Sequence, residues 1–307
     1  MAAPATSPPT TLTGLHLLLT HECNFECDHC FVWSGPGQSG TMTVEIIQDI
    51  LRQAKTLDSI EWIYFEGGEP SLCYKLLCYG VRLAQECGFR VGIVTNASWA
   101  TTEADAMEWL QPFIGVVEDL SISDDAYHGC DERHRQTHIA RQASKRLGIP
   151  VDFISVAGVE MSNARDVSGQ LPTGKSEVLY RGRAVEKLSM RANLKRWDQF
   201  TECPWEELRN PERVHVDTLG NLHVCQGISI GNLTETPLTE IMENYKPDTH
   251  PIIGPLLDGG PVELVKRYEL PHEKAYADAC HLCYISRCKL RSKFPDCLTP
   301  DQMYGVS

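Results

Sequence analysis

Six short runs rich in β-branched, aromatic and leucine residues, at positions 15–19, 60–65, 90–95, 116–123, 151–156 and 177–180, recur along the chain. Stretches of helical periodicity separate them. Ile47, Ile50, Leu51, Ala54 and Leu57 repeat at helical spacing behind Thr43, an N-cap, while the segments 76–87 and 136–147 run into Gly88 and Gly148 as C-terminal caps. Strand alternating with helix predicts right-handed βαβ units and therefore a parallel sheet or an open barrel. Six units are too few for a closed eight-fold barrel.

After residue 196 the rhythm changes. Positions 214–216 and 222–224 flank Leu219-Gly220-Asn221, a hairpin signature, and 245–260 reads as an irregular linker. The expected organisation is a flexible lead over 1–13, an α/β unit over 14–196 and a smaller unit over 197–307. No internal repeat is visible.

Composition removes several classes. With 28 basic against 41 acidic side chains the net charge is −13, which disfavours a nucleic-acid partner. Hydrophobic residues at 42% and charged ones at 22% match a globular core and exclude collagen-like, coiled-coil or disordered chains. No apolar run approaches the roughly 20 residues of a membrane span, and residues 1–13 carry no positive charge and do not resemble a secretory signal. A cytoplasmic location with no membrane partner is expected. There thiols stay reduced. Thirteen cysteines is an odd number in a chain too long to be a disulfide-stapled mini-protein, so metal ligation is the first reading.

The array Cys23-Asn24-Phe25-Glu26-Cys27-Asp28-His29-Cys30 follows the first expected strand. Three thiolates on a four-iron cluster leave one iron open to a small molecule, whereas a structural zinc ion takes four ligands, which His29 would complete. Glu66-Gly67-Gly68-Glu69-Pro70 stands at the end of the second strand, where barrel active sites gather their loops. Paired glycines let the backbone approach a ligand closely.

Over about residues 14–195 the sequence resembles the radical S-adenosylmethionine (radical SAM) superfamily, through that cysteine spacing followed by the Gly-Gly-Glu-Pro segment. The resemblance implies a partial (β/α)6 TIM-like barrel in which Cys23, Cys27 and Cys30 hold a [4Fe-4S] cluster. The open iron would chelate the amine and carboxylate of S-adenosyl-L-methionine, with Gly67, Gly68 and Glu69 on the amine and His29 against the adenine. Reductive cleavage would yield a 5′-deoxyadenosyl radical that takes a hydrogen from substrate. Thr95, Asn96, Ser123, Asp124 and Asp125, at strand ends, are candidates for the ribose and carboxylate; the alternative is a strand-terminal turn capped by Asn and Asp. Residues 155–160 resemble the adenine-binding edge of the fifth strand. Tyr64 reads as core packing, and Glu66 as a side chain able to face the interior. The run Arg181, Arg183, Lys187, Arg191, Lys195 and Arg196 reads as a solvated helix face, with Arg181 meeting a carboxylate of the cofactor or the substrate as the alternative.

Cys203, Cys225, Cys280 and Cys283 resemble the auxiliary-cluster twitch and SPASM domains of this superfamily, a β-hairpin plus helix, which implies a second [4Fe-4S] cluster on these four thiolates. Cys280, Cys283, Cys288 and Cys297 form an alternative set, and a zinc ribbon an alternative metal. Cys73, Cys78, Cys87 and Cys130 read as inert buried thiols. The resemblance implies an anaerobic oxidoreductase or maturase that oxidises or cross-links a peptide or protein side chain, supplied with electrons by a flavodoxin or ferredoxin. A sugar or aminocyclitol dehydrogenase is the alternative, and a non-catalytic metal-binding or electron-transfer protein the contrasting class.

Overall fold

The structure, a computed structural model, describes residues 12–128, 131–168 and 176–306. Most of the expected N-terminal lead, together with Cys130, lies outside them.

Strand β1 (Gly14–Leu18) leads through the cysteine loop to α1 (Val44–Ala54), then β2 (Trp62–Glu66), α2 (Tyr74–Glu86), β3 (Arg90–Thr95), α3 (Glu103–Leu110), β4 (Val117–Ser123), α4 (Asp131–Leu147), β5 (Val151–Ile154) and α5 (Val159–Ser168). There follow α6 (Arg183–Lys187), β6 (Lys195–Arg196), β7 (Arg213–Val216), β8 (Asn221–Cys225), β9 (Ile228–Asn232), α7 (Leu238–Asn244), α8 (Ile253–Arg267), β10 (Ala275–Tyr276) and α9 (Ala279–Leu290). The helix signals act as read. Thr43 accepts a hydrogen bond from Ile46 N, α1 buries Ile47, Ile50, Leu51 and Ala54, and Gly88 and Gly148 take the left-handed conformation after α2 and α4.

The main sheet has the order β5-β4-β3-β2-β1-β7-β8-β9. Its first five strands and the β1–β7 pair are parallel, as the βαβ pattern requires, and β7-β8-β9 continue antiparallel. One face of each central strand is apolar and packs against the helices: Leu15 and Leu17, Ile63 and Phe65, Leu120 and Ile122 are fully buried. The other face carries His16, Tyr64, Glu66, Asp119, Ser121, Ser123 and His215. This interior is polar where barrels normally stack layers of Val, Ile and Leu.

Four sequence readings are corrected. Positions 177–180 do not form a sixth strand; Ser176 makes one parallel bridge to Val156, and Tyr180 N then turns to the carboxylate of Asp278, which draws the chain off the sheet. The expected linker over 245–260 contains the start of α8, which tolerates its Gly-Gly-Pro by kinking at Gly259 and Gly260. Tyr64 is not core: it faces the polar interior and donates to Asp119 Oδ2 at 2.9 Å. The hairpin does not stand apart, because β7 pairs with β1 from Gly14↔Arg213 to Leu17↔Val216. One apolar core accordingly includes both Leu12 and Tyr304.

Candidate active site

Beyond β1 the cysteine loop is seated by the Glu66–Pro70 segment. Gly68 N donates to Thr20 O at 2.6 Å and Glu69 N to Glu22 O at 3.0 Å. A Cβ on Gly68 would lie 2.0 Å from Glu22 O, and one on Gly67, whose φ is +143°, 2.5 Å from Thr20 O. The glycine pair is therefore required by backbone-to-backbone approach, as well as by the cavity that both residues line.

That cavity, of about 320 Å³, is lined by Cys23, Cys27, Cys30, His29, Gly67, Gly68, Thr95, Asn96 and Ser123, among others. Nine of the expected site residues thus meet at the strand C-termini. Cys23 Sγ accepts from Phe25 N at 3.4 Å and from Asn96 Nδ2 at 3.8 Å, and Cys30 Sγ from Ser34 N at 3.3 Å. Burial pushes the Cys23 thiol up to about 12 and that of Cys27 higher still. Such sulfurs become thiolates when a metal replaces the proton. Three thiols around one open cavity fit a three-thiolate cluster with a free position. His29 does not close the set as a fourth zinc ligand: it stacks on Tyr127 with centroids 4.6 Å apart, and its Nε2 lies 3.6 Å from Asp125. Burial lowers its pKa to about 4, so it is a neutral wall of the cavity.

Three expected ligands do not reach the cavity. Glu69, fully buried, accepts from Ser71 N at 3.0 Å, Thr95 Oγ1 at 2.8 Å and Asn96 N at 2.8 Å. It ties the end of β2 to the end of β3, and burial raises its pKa. Asp125 accepts from Tyr127 N at 2.9 Å and Val156 N at 3.1 Å, and it lies 2.8 Å from His128 Nδ1, which orients the two imidazoles beside it. Asp124 pairs with His134 at 2.8 Å outside the site.

Sequence reasoning missed the apolar walls Phe25, Phe31, Val94, Ile154 and Leu179, and it misread two arginines. Arg183 is 3% exposed and donates to Cys27 O at 2.9 Å and Ser34 O at 2.6 Å, clamping the cysteine loop from α6. The preceding Gly182 was the available signal, since a Cβ there would lie 2.5 Å from Cys30 O. Only Lys187, Arg191, Lys195 and Arg196 form the expected exposed face.

A second, small cavity gathers Cys203, Cys225, Cys280 and Cys283 with Arg181, Glu206 and Arg287. Cys225 ends β8, while Cys280 and Cys283 sit in the first turns of α9, whose N-cap Asp278 accepts from His281 N at 2.7 Å. Burial raises Cys203 to about 12 and pushes Cys280 and Cys283 up as well. Cys288 is exposed, and neither it nor Cys297 lines this cavity, so the alternative cysteine set is not assembled. Arg181 lines both cavities. Its Nη1 donates to Glu206 Oε1 at 2.7 Å and to Cys225 Sγ at 3.5 Å, and its guanidinium lies 5.5 Å from the ring centroid of Phe31. The carboxylate it meets is the chain's own.

Residues 17–125 match the family model described as the radical SAM superfamily. YydG of Bacillus subtilis (strain 168), assigned by name to peptide biosynthesis, is 29% identical over 111 residues, 36% of this chain and 35% of that protein. The S-adenosylmethionine-dependent nucleotide dehydratase of Fibrobacter sp. (strain UWH6) is 25% identical over 121 residues, 36% of this chain and 32% of the dehydratase. The chain therefore spans about a third of the length of these relatives. The fold is shared with anSMEcpe bearing AdoMet, with a TM-score of 0.54 at 13% identity over 92% of this chain and 97% of that one. It is also shared with BtrN in complex with AdoMet and 2-DOIA, with a TM-score of 0.50 at 16% identity over 76% and 82% of the two chains. The three-cysteine loop and the Glu66–Pro70 segment both lie within the stretch, residues 17–125, that matches the radical SAM superfamily.

Proposed function

We propose that the chain is a radical SAM oxidoreductase or maturase that removes a hydrogen atom from a peptide or protein side chain and completes a net oxidation or cross-link with the help of a second iron-sulfur centre. The observation that carries this reading is the pair of thiol-lined cavities, one with three cysteines open to a ligand-sized space and one with four, separated by Arg181. A four-iron cluster with bound S-adenosylmethionine supplies hydrogen-atom abstraction from an unactivated carbon.

In this reading Cys23, Cys27 and Cys30 hold the first cluster, and the backbone at Gly67 and Gly68 with the side chains of Asn96 and Ser123 orients the cofactor. His29, neutral and stacked, covers an apolar face of it. Glu69 acts through Thr95 and Asn96 by fixing the strand end they occupy. Apolar side chains from Phe25 to Leu179 exclude water, which protects a reactive centre from quenching. Cys203, Cys225, Cys280 and Cys283 hold the second [4Fe-4S] cluster in a twitch-like or SPASM-like unit over 197–307, and Arg181 and Arg287 offset its negative charge. Electrons come from a flavodoxin or ferredoxin in an anaerobic, reducing cytoplasm. No helix of the described residues is long and apolar enough to cross a membrane.

The peptide class is favoured by the assignment of YydG to peptide biosynthesis. The fold itself accommodates both classes, since anSMEcpe is known with a Kp18Cys peptide and BtrN with 2-DOIA. For the second cavity a single metal ion is the competing occupant, favoured by its volume of about 20 Å³. Anaerobic reconstitution decides between them. About eight iron atoms per chain, with 5′-deoxyadenosine formed on reduction and lost when Cys23, Cys27 and Cys30 are replaced by Ala, is the expected result. About four iron atoms with one zinc would make the second site a structural ribbon, and cofactor cleavage by the triple variant would end the assignment of the first.

A further inference from the structure

We propose that His16, Glu66 and His215 form a divalent-metal site in the barrel interior, with no ligand in common with either set of thiols. The three residues stand on neighbouring strands of one sheet. β1 lies between β2 and β7, His16 is paired with both Tyr64 and His215, and Glu66 stands one inward-facing position beyond Tyr64. All three side chains therefore point to the same face. His16 Nδ1 lies 3.2 Å and His215 Nε2 3.1 Å from the same oxygen, Glu66 Oε1, and the ligand atoms of the trio lie within 4.8 Å of one another.

Two imidazoles and a carboxylate converging from a rigid sheet make a set that takes Mn²⁺, Fe²⁺ or Zn²⁺ and leaves coordination positions open. The rings are held in place before any ion arrives. His16 stacks on Tyr64 with centroids 4.6 Å apart and planes 9° apart, Tyr64 is anchored by Asp119, and His215 meets Phe31 nearly edge-on at 5.8 Å. This rigidity resembles the outer-shell support that metal-binding histidines require.

The location argues in the same direction. A barrel interior is ordinarily closed by apolar layers, and placing a carboxylate and two imidazoles there costs free energy that the fold has no need to spend. The trio is also reachable from two sides. Glu66 lines the three-thiol cavity, whereas His16 lines a larger one of about 550 Å³ shared with Thr13, Gly14 and Trp62 at the strand N-termini. Water or a carbonyl or carboxylate of a substrate can complete the coordination from the three-thiol cavity. No thiol belongs to the set, so a hard or borderline ion is selected here while iron-sulfur clusters are built elsewhere.

The test uses the cluster-loaded, oxidised full chain, titrated with Mn²⁺ while the free ion is counted by its electron paramagnetic resonance signal, with Zn²⁺ added as a competitor. One Mn²⁺ per chain, displaced by Zn²⁺ and bound more than about tenfold more weakly by Glu66→Gln and by His16→Gln, is the expected result. A Cys203→Ser variant should bind Mn²⁺ as the wild type does, which separates this site from the iron-sulfur assignments. Circular dichroism establishes that the variants are folded, and His16→Gln serves if Glu66→Gln does not fold. If the wild-type chain holds neither ion more tightly than the folded variants do, the trio is a hydrogen-bonded network only and the proposal falls.

Discussion

Arg181 connects the chemistry of the two cavities through a single side chain, with Glu206 on one side, Cys225 on another and Phe31 across its face. A positive hydrogen-bond donor at a ligand sulfur favours the reduced form of a cluster. Arg181→Gln should therefore lower the reduction potential of the proposed second centre and leave that of the first unchanged, as read by redox titration with spectroscopic detection; two unmoved potentials would deny Arg181 that role. Glu69 makes the opposite kind of residue-scale prediction. Glu69→Ala leaves Thr95 Oγ1, Asn96 N and Ser71 N without their acceptor, an expected loss of about 2 to 3 kcal/mol in unfolding free energy. The deficit should appear in the cofactor-free protein, which a direct cofactor ligand would not produce. The motif at Glu69 was legible in the sequence, but its role was not, because a carboxylate aimed at a ligand and one aimed at the next strand have the same one-dimensional signature.

At the scale of elements, the loop and helix ends carry the sharpest tests. Gly68→Ala removes no ligand, yet its methyl would collide with the backbone at Glu22, so the substituted chain should lose the iron of the first site while keeping that of the second. Iron analysis paired with quantification of 5′-deoxyadenosine reads both effects. Helix α8 begins with an unusual cap: His250 Nδ1 accepts from Ile252 N and Ile253 N, each at 3.1 Å, and burial keeps this imidazole below its ordinary pKa. On acidification the unfolded chain then binds the proton first. Stability contributed by His250 should be constant above about pH 7 and decline as pH falls through about 6.5. In His250→Asn, which retains an acceptor without the titration, that part of the slope should vanish from denaturant midpoints measured across pH. Sequence periodicity identified α1, α2 and α4 because each signals its own cap. It missed α8, since Pro255, Gly259, Gly260 and Pro261 read as loop residues until tertiary packing around the kink is known.

For the molecule as a whole, the pairing of β7 with β1 makes the C-terminal third part of the same sheet and core as the N-terminal strands. A fragment ending at residue 196 should therefore be insoluble or show no cooperative unfolding, even though the cysteine loop and β1–β5 lie within it. A soluble fragment with a cooperative transition would mean that 197–307 is an independent addition. By itself the sequence determined the βαβ order, the caps and the location of three thiols at a strand end, since each depends on local spacing, whereas for Cys203, Cys225, Cys280 and Cys283 it offered a resemblance and left a second cysteine set open. Only the tertiary structure decided the rest. It buried Arg181 and Arg183 within a basic run, closed Glu69 and Asp125 away from the cavity, and brought His16, Glu66 and His215 to one point. Those outcomes depend on which strand lies beside which, and strand adjacency is set by long-range packing that no local pattern encodes.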